Sequence, residues 1–234
     1  SNSVNRNQLK YFGAGMEKIE RNTAMLQVQE LLDTFTDAKE YGSILNVENY
    51  NWDLLRRFAD NLDTNGQMGF DAIGIESVQN QLQLLIDIGI VIARKFDVVV
   101  TNPPYMGSSS MSKKLLNFVR NNYSDSKSDL FSCFIENAIG KTTKFGYAAL
   151  ITMEAWMFQS SFFKLREKIV LSRQIVNMIH MPYLGRGGTS LGINFGTAAL
   201  VFNRLKIQNY IGTYQCIRYY ETDSNGVPFH FPTK

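Results

Sequence analysis

The 234 residues carry a net charge of +3, with 44% hydrophobic and 19% charged side chains. That balance excludes a disordered or fibrous chain, and a chain of this length buries about 70% of its extended surface without needing disulfides or a metal to hold its core. So small a charge permits nucleic-acid contact but excludes a dedicated non-specific DNA binder, which would be far more basic. Cys133 and Cys216 lie far apart with no CxxC pair, and His180 and His230 are the only histidines. We therefore expect no metal site, and two lone cysteines point to reduced thiols in a cytoplasmic compartment. The longest apolar stretch, LQLLIDIGIVIA at 82–93, carries Asp87 and is too short to span a bilayer, so no membrane partner is expected. Ser1 heads the chain where a methionine would begin a primary product, from which we expect a processed or excised chain.

In chain order, MEKIERNTAMLQVQELLDTF at 16–35 spaces its apolar residues three or four apart and predicts a helix. YGSILNV at 41–47 is short and β-prone. Helical spacing returns at 51–62, a turn-rich break follows at 63–69, and a long apolar-faced helix is predicted over 77–95. FDVVVT at 96–101 is a continuous β-branched run of the kind that fills a strand covered on both faces. Next come a polar Ser/Asn/Lys segment at 106–127 and a helix from about Asp129 to Gly140, with Ser128 or Asp129 as its N-cap. Strands are predicted at 147–152, 174–180 and 197–203, with a helix at 162–172 and a glycine loop, GRGGTSLG, at 185–192. Strands separated by helices define an α/β fold, which we expect to be a largely parallel sheet. We divide the chain into a mostly helical segment at 1–66, a central part at 67–204, and the start of a following region at 205–234.

The sharpest signal is Asn102-Pro103-Pro104-Tyr105, directly after the 96–101 strand. Open α/β sheets place their active sites at strand carboxyl ends, and Asn-Pro-Pro-aromatic arises by chance at roughly 10⁻⁵ per position. A rigid loop that merely stops the sheet is the competing reading, because proline cannot extend a ladder. The tetrapeptide resembles the signature of S-adenosylmethionine-dependent amino-group methyltransferases, above all the N6-adenine DNA methylases. An exocyclic amine is a poor nucleophile because its lone pair is delocalised into the ring. Two acceptors aimed at its hydrogens localise that pair for attack on an electrophilic methyl group. The resemblance makes the Asn102 side-chain oxygen and the Pro103 carbonyl those acceptors, with Pro104 holding the turn rigid. It makes Tyr105 the ring that stacks on a flipped adenine.

The order YGSIL, FDVVVTNPPYMG, SDLFSCFIENAI, GYAALITMEAWMF and INFGTAALVF is similar to the later motifs of the BREX phage-exclusion methylases of the PglX kind and of type IIG restriction-modification methylases. That likeness implies the C-terminal, incomplete part of a Rossmann-like methyltransferase sheet behind an N-terminal helical segment. It also implies S-adenosyl-L-methionine as cofactor, double-stranded DNA as partner, and other defence-system proteins alongside. Gly42 and Ser43 match the segment near the cofactor's adenine, and Asp129 heads a helix lining the cofactor and base pocket. Their plainer readings are a turn and an N-cap. Phe195 is a candidate second stacking face, or simply core. Lys113, Lys114 and Arg186 are candidate phosphate contacts, or solvated loop and helix residues. The family's glycine-rich cofactor loop follows a buried strand. Only Phe12-Gly13-Ala14-Gly15 competes for that place, and its spacing and polar approach fit ordinary turn glycines instead. Methylation of a glutamine amide or an RNA guanine amine uses the same tetrapeptide and stays open, as does a non-catalytic interaction module.

Overall fold

Helical periodicity governs the first part of the chain. The computed structural model describes residues 4–63, 73–182, 195–224 and 227–230, and the chain divides into two compact units, Ser1–Arg94 and Lys95–Lys234. In the first unit, helix α1 (Lys18–Thr34) buries Ala24, Val28, Leu31 and Leu32, four positions on one helical face. After the short α2 (Ala38–Tyr41), α3 (Trp52–Asp60) opens where the Asn51 side chain accepts a hydrogen bond from the Leu54 amide, 3.1 Å away. The long α4 (Ile75–Ala93) buries Val78, Leu82, Leu85 and Ile86. The β-prone stretch at 41–47 is not a strand. It continues from α2 into a 3-10 turn, Gly42–Ile44, with Gly42 at φ +55°. The described residues of this unit include no strand to pair with it, so Ile44 and Leu45 serve as core side chains instead.

The second unit contains β1 (Phe96–Thr101), α5 (Lys113–Asn122), α6 (Leu130–Lys141), β2 (Thr142–Met153), α7 (Ala155–Phe158), α8 (Phe163–Ser172), β3 (Gln174–Met181), β4 (Thr197–Asn203) and β5 (Thr213–Cys216). The five strands form one sheet in the order β1-β2-β4-β3-β5. β1 runs parallel to β2, and β3 to β5, but β4 is antiparallel to both of its neighbours. The sheet is therefore mixed, where the sequence led us to expect a largely parallel one. Apolar patterning reports burial and not direction, so β4 reads the same either way. β5 has no counterpart among the expected elements.

Phe131, Ile135 and Ala138 of α6, Trp156 of α7 and Leu165 and Ile169 of α8 share a buried cluster with Ala148, Leu150, Ala198, Leu200 and Phe202 of the sheet. On the other face Val98, Val100 and Ile151 are 60%, 74% and 48% exposed. β1 is thus covered on one side where cover on both was expected. Among the described residues, no helix is long and apolar enough to cross a membrane.

Candidate functional site

The candidate site lies at the carboxyl end of β1. Thr101 is its last paired residue, opposite Leu150 of β2. Pro103 has no N–H to offer the ladder, so the chain leaves the sheet at Asn102. Asn102 and Pro104 are exposed, while Pro103 is buried. The Tyr105 side chain turns back over the strand ends, with its hydroxyl 3.2 Å from the Ile151 carbonyl oxygen and 3.4 Å from Asn102 Oδ1. Its ring meets Phe195 edge-on at 5.0 Å between centroids and Phe131 at 6.2 Å. Burial pushes the phenol above its usual range, so the hydroxyl remains a donor at neutral pH.

The residues that follow Tyr105 are stitched to the start of α6. Asp129 Oδ1 accepts from the amides of Met106 at 3.1 Å and Phe131 at 3.2 Å. The Leu130 amide donates to the Met106 carbonyl at 2.9 Å, and the Ser108 amide to Ser128 at 3.0 Å. Asp129 is therefore an N-cap that also clamps the turn. Burial pushes its carboxyl upward, against the pull of the Phe131, Met106 and Leu130 amides. Cys133, one turn into α6, is fully buried and its thiol is pushed up to about 12, which makes it unreactive.

The structure brings Asn102, Pro103, Pro104, Tyr105, Asp129 and Phe195 together. Lys113 and Lys114 are exposed in the first turn of α5, behind the Ser112 cap. Gly42 and Ser43 belong to the 3-10 turn of the first unit. Arg186 and the glycine loop at 185–192 lie outside the described residues. Sequence reasoning missed the Ile151 carbonyl and the pairing of Glu154 with His180, whose Nε2 lies 2.7 Å from Glu154 Oε2. The available signal was positional: Glu154 follows the end of β2 and His180 is near the end of β3, so both fall at the same edge of the sheet as Asn102.

The glycines of Phe12-Gly13-Ala14-Gly15 follow a 3-10 helix, Arg6–Tyr11, and not a strand. Gly13 sits at φ +74° with the Phe58 ring where a Cβ would go, and its amide donates to the Phe58 carbonyl at 3.1 Å. It is a packing turn. Against S-adenosylmethionine, the described residues thus present acceptors for an amine but no strand–glycine turn–helix cradle for the methyl donor.

The family profile described as Eco57I restriction-modification methylase matches residues 10–184, well over half of the chain, and the chain belongs to that family. Among curated relatives, the adenine-specific methyltransferase PglX of Lacticaseibacillus casei (strain Zhang) is 36% identical over 80% of this chain and 16% of that protein. The adenine-specific methyltransferase BrxX of Escherichia coli O9:H4 (strain HS) is 30% identical over 87% of this chain and 17% of that protein. The chain thus spans about a sixth of the length of these relatives. Among solved structures, the DrdV–DNA complex is similar at a TM-score of 0.42 and 17% identity, over 60% of this chain and 16% of that one.

Proposed function

We propose that this chain is the catalytic-motif segment of an N6-adenine DNA methyltransferase that acts in the cytoplasm in phage defence or restriction-modification. The observation that carries the proposal is the exposed Asn102 amide at the end of β1, beside a Tyr105 ring packed on Phe131 and Phe195. In this reading, Asn102 Oδ1 and the Pro103 carbonyl accept the two hydrogens of a flipped adenine amine and draw its lone pair out of the ring. The two prolines fix the backbone, so the carbonyl needs little reorganisation to reach its place. Tyr105 supplies a face on which the adenine stacks. S-adenosylmethionine, when bound, supplies an electrophilic methyl group. Gly42, Ser43 and Asp129 are the candidate contacts of this chain with the cofactor, and Lys113, Lys114, Arg186 and Phe195 with DNA. Membership of a methylase family and two curated relatives named as adenine-specific methyltransferases support the reading.

The test is methylation of unmodified duplex DNA by the full-length protein with labelled cofactor. We expect label on adenine N6, and Asn102→Ala to reduce turnover at least ~100-fold while the protein stays folded, the scale at which loss of a preorganised polar contact is felt. Full turnover in that variant, or label on an RNA guanine or a protein glutamine instead, would overturn it.

A further inference from the structure

We propose that Glu154 and His180 form a brace that positions Phe195, and through it the Tyr105 wall of the base pocket. The role assigned to the pair rests on the function proposed above. Glu154 Oε2 and His180 Nε2 are 2.7 Å apart, and the two side chains are only 21% and 15% exposed. A carboxylate only accepts, so Nε2 carries the hydrogen and donates it. On the other side of the ring, Nδ1 lies 3.9 Å from the Cys216 sulfur of β5, and the Phe158 ring centroid is 5.8 Å from that of the imidazole. Each ring nitrogen thus faces a polar partner, Glu154 on one side and Cys216 on the other.

The brace acts on a stretch that the sheet does not hold. The last rungs of β4 are Thr197 opposite Met153 and Thr197 opposite Met181, so Phe195 and Gly196 lie beyond both ladders. Among the described residues, the Glu154 amide ties them to the sheet by donating to the Gly196 carbonyl at 2.8 Å. The Glu154 carboxylate occupies the place where a Cβ on residue 196 would sit, so any larger residue there would have to displace it. Phe195, one residue earlier, carries the ring that meets Tyr105 at 5.0 Å. Two polar side chains withdrawn this far from water are a costly way merely to fill space, because apolar residues of similar volume do so at least as well. What the pair provides is a fixed carboxylate against which the backbone at 195–196 is seated.

The experiment measures kcat and KM for cofactor and for unmodified duplex DNA in the full-length protein, together with thermal melting. Glu154→Ala and His180→Ala should lower kcat at least ~10-fold with cofactor KM within about 2-fold, because a small misplacement of a positioning contact is felt in turnover. Phe195→Ala should reproduce that loss. Glu154→Gln keeps an oxygen that accepts from Nε2 and should restore kcat to within about 3-fold of the parent. A folded Glu154→Ala with parental kcat overturns the brace, and so does a folded Glu154→Gln as impaired as a folded alanine variant. If Glu154→Ala does not fold, Glu154→Gln and Phe195→Ala decide between the outcomes: a folded Glu154→Gln within about 3-fold of the parent beside an impaired Phe195→Ala supports the brace, and any other result overturns it. Asn102→Ala run in the same assay separates the two ideas, since turnover surviving in that variant defeats the proposed function and not the brace.

Discussion

Tyr105 has one hydroxyl proton and two acceptors within reach, Ile151 O at 3.2 Å and Asn102 Oδ1 at 3.4 Å. The proton serves one at a time, and the nearer carbonyl leaves Asn102 Oδ1 open to a substrate hydrogen. Tyr105→Phe should therefore keep the ring in place and most of the turnover, at a cost of about 1 kcal/mol in stability on urea unfolding. Tyr105→Ala, which removes the ring set between Phe131 and Phe195, should lower turnover at least ~10-fold and weaken binding of DNA more than of cofactor. Asp129 makes a pH prediction. Its carboxyl sits above the ordinary value in the folded chain, so between the unfolded and folded pKa values the native state binds more protons and loses stability as pH rises. Asp129→Asn keeps an acceptor for the Met106 and Phe131 amides without the buried charge. Relative to that variant, the parent should be less stable at pH 7 than at pH 4, as paired urea titrations would report.

At the scale of elements, α5 begins with two cations and no acid in its first turn. Positive charge there opposes the helix dipole, so Lys113 and Lys114 do not help the helix form. Replacing both by alanine should leave helix content equal or greater by circular dichroism. In the full-length protein the same change should weaken DNA binding and flatten its salt dependence by about two phosphate contacts. Helices α1, α3 and α4 were legible because they carry their buried residues at helical spacing over two or more turns, whereas the four-residue α2 and α7 are too short to show a period. β1, β2, β3 and β4 were legible as apolar runs. β5 was not, because it has four residues, of which Thr213, Tyr214 and Cys216 are exposed. Local composition misled at 41–47, where tertiary burial of Ile44 and Leu45 overrode β propensity. Within the candidate site, Asn102 to Tyr105 were legible because they are contiguous and rare. The Glu154–His180 pair was not, because its members are far apart in sequence and only the β2-β4-β3 order makes them neighbours.

For the molecule as a whole, the described residues hold the acceptors of the amine site but no strand–glycine turn–helix cradle for a methyl donor. Strand β1 ends in Asn102, while the candidate glycine turn at 12–15 is filled by Phe58 packing. If the described residues are all that this chain offers the cofactor, calorimetric titration of the 234-residue chain with S-adenosylmethionine gives no saturable heat. Saturable binding by this chain would show that other residues make the cradle.

The place of β4 between β2 and β3 also bears on how the chain is made. A ribosome delivers both flanking strands before the one that joins them, so the β1-β2 pair and an unpaired β3 wait with open edges until Thr197–Asn203 emerges, and β5 comes later still. Closure then waits on a late insertion across a large sequence separation, which makes folding slow and leaves unpaired strand edges for a chaperone to shield during synthesis.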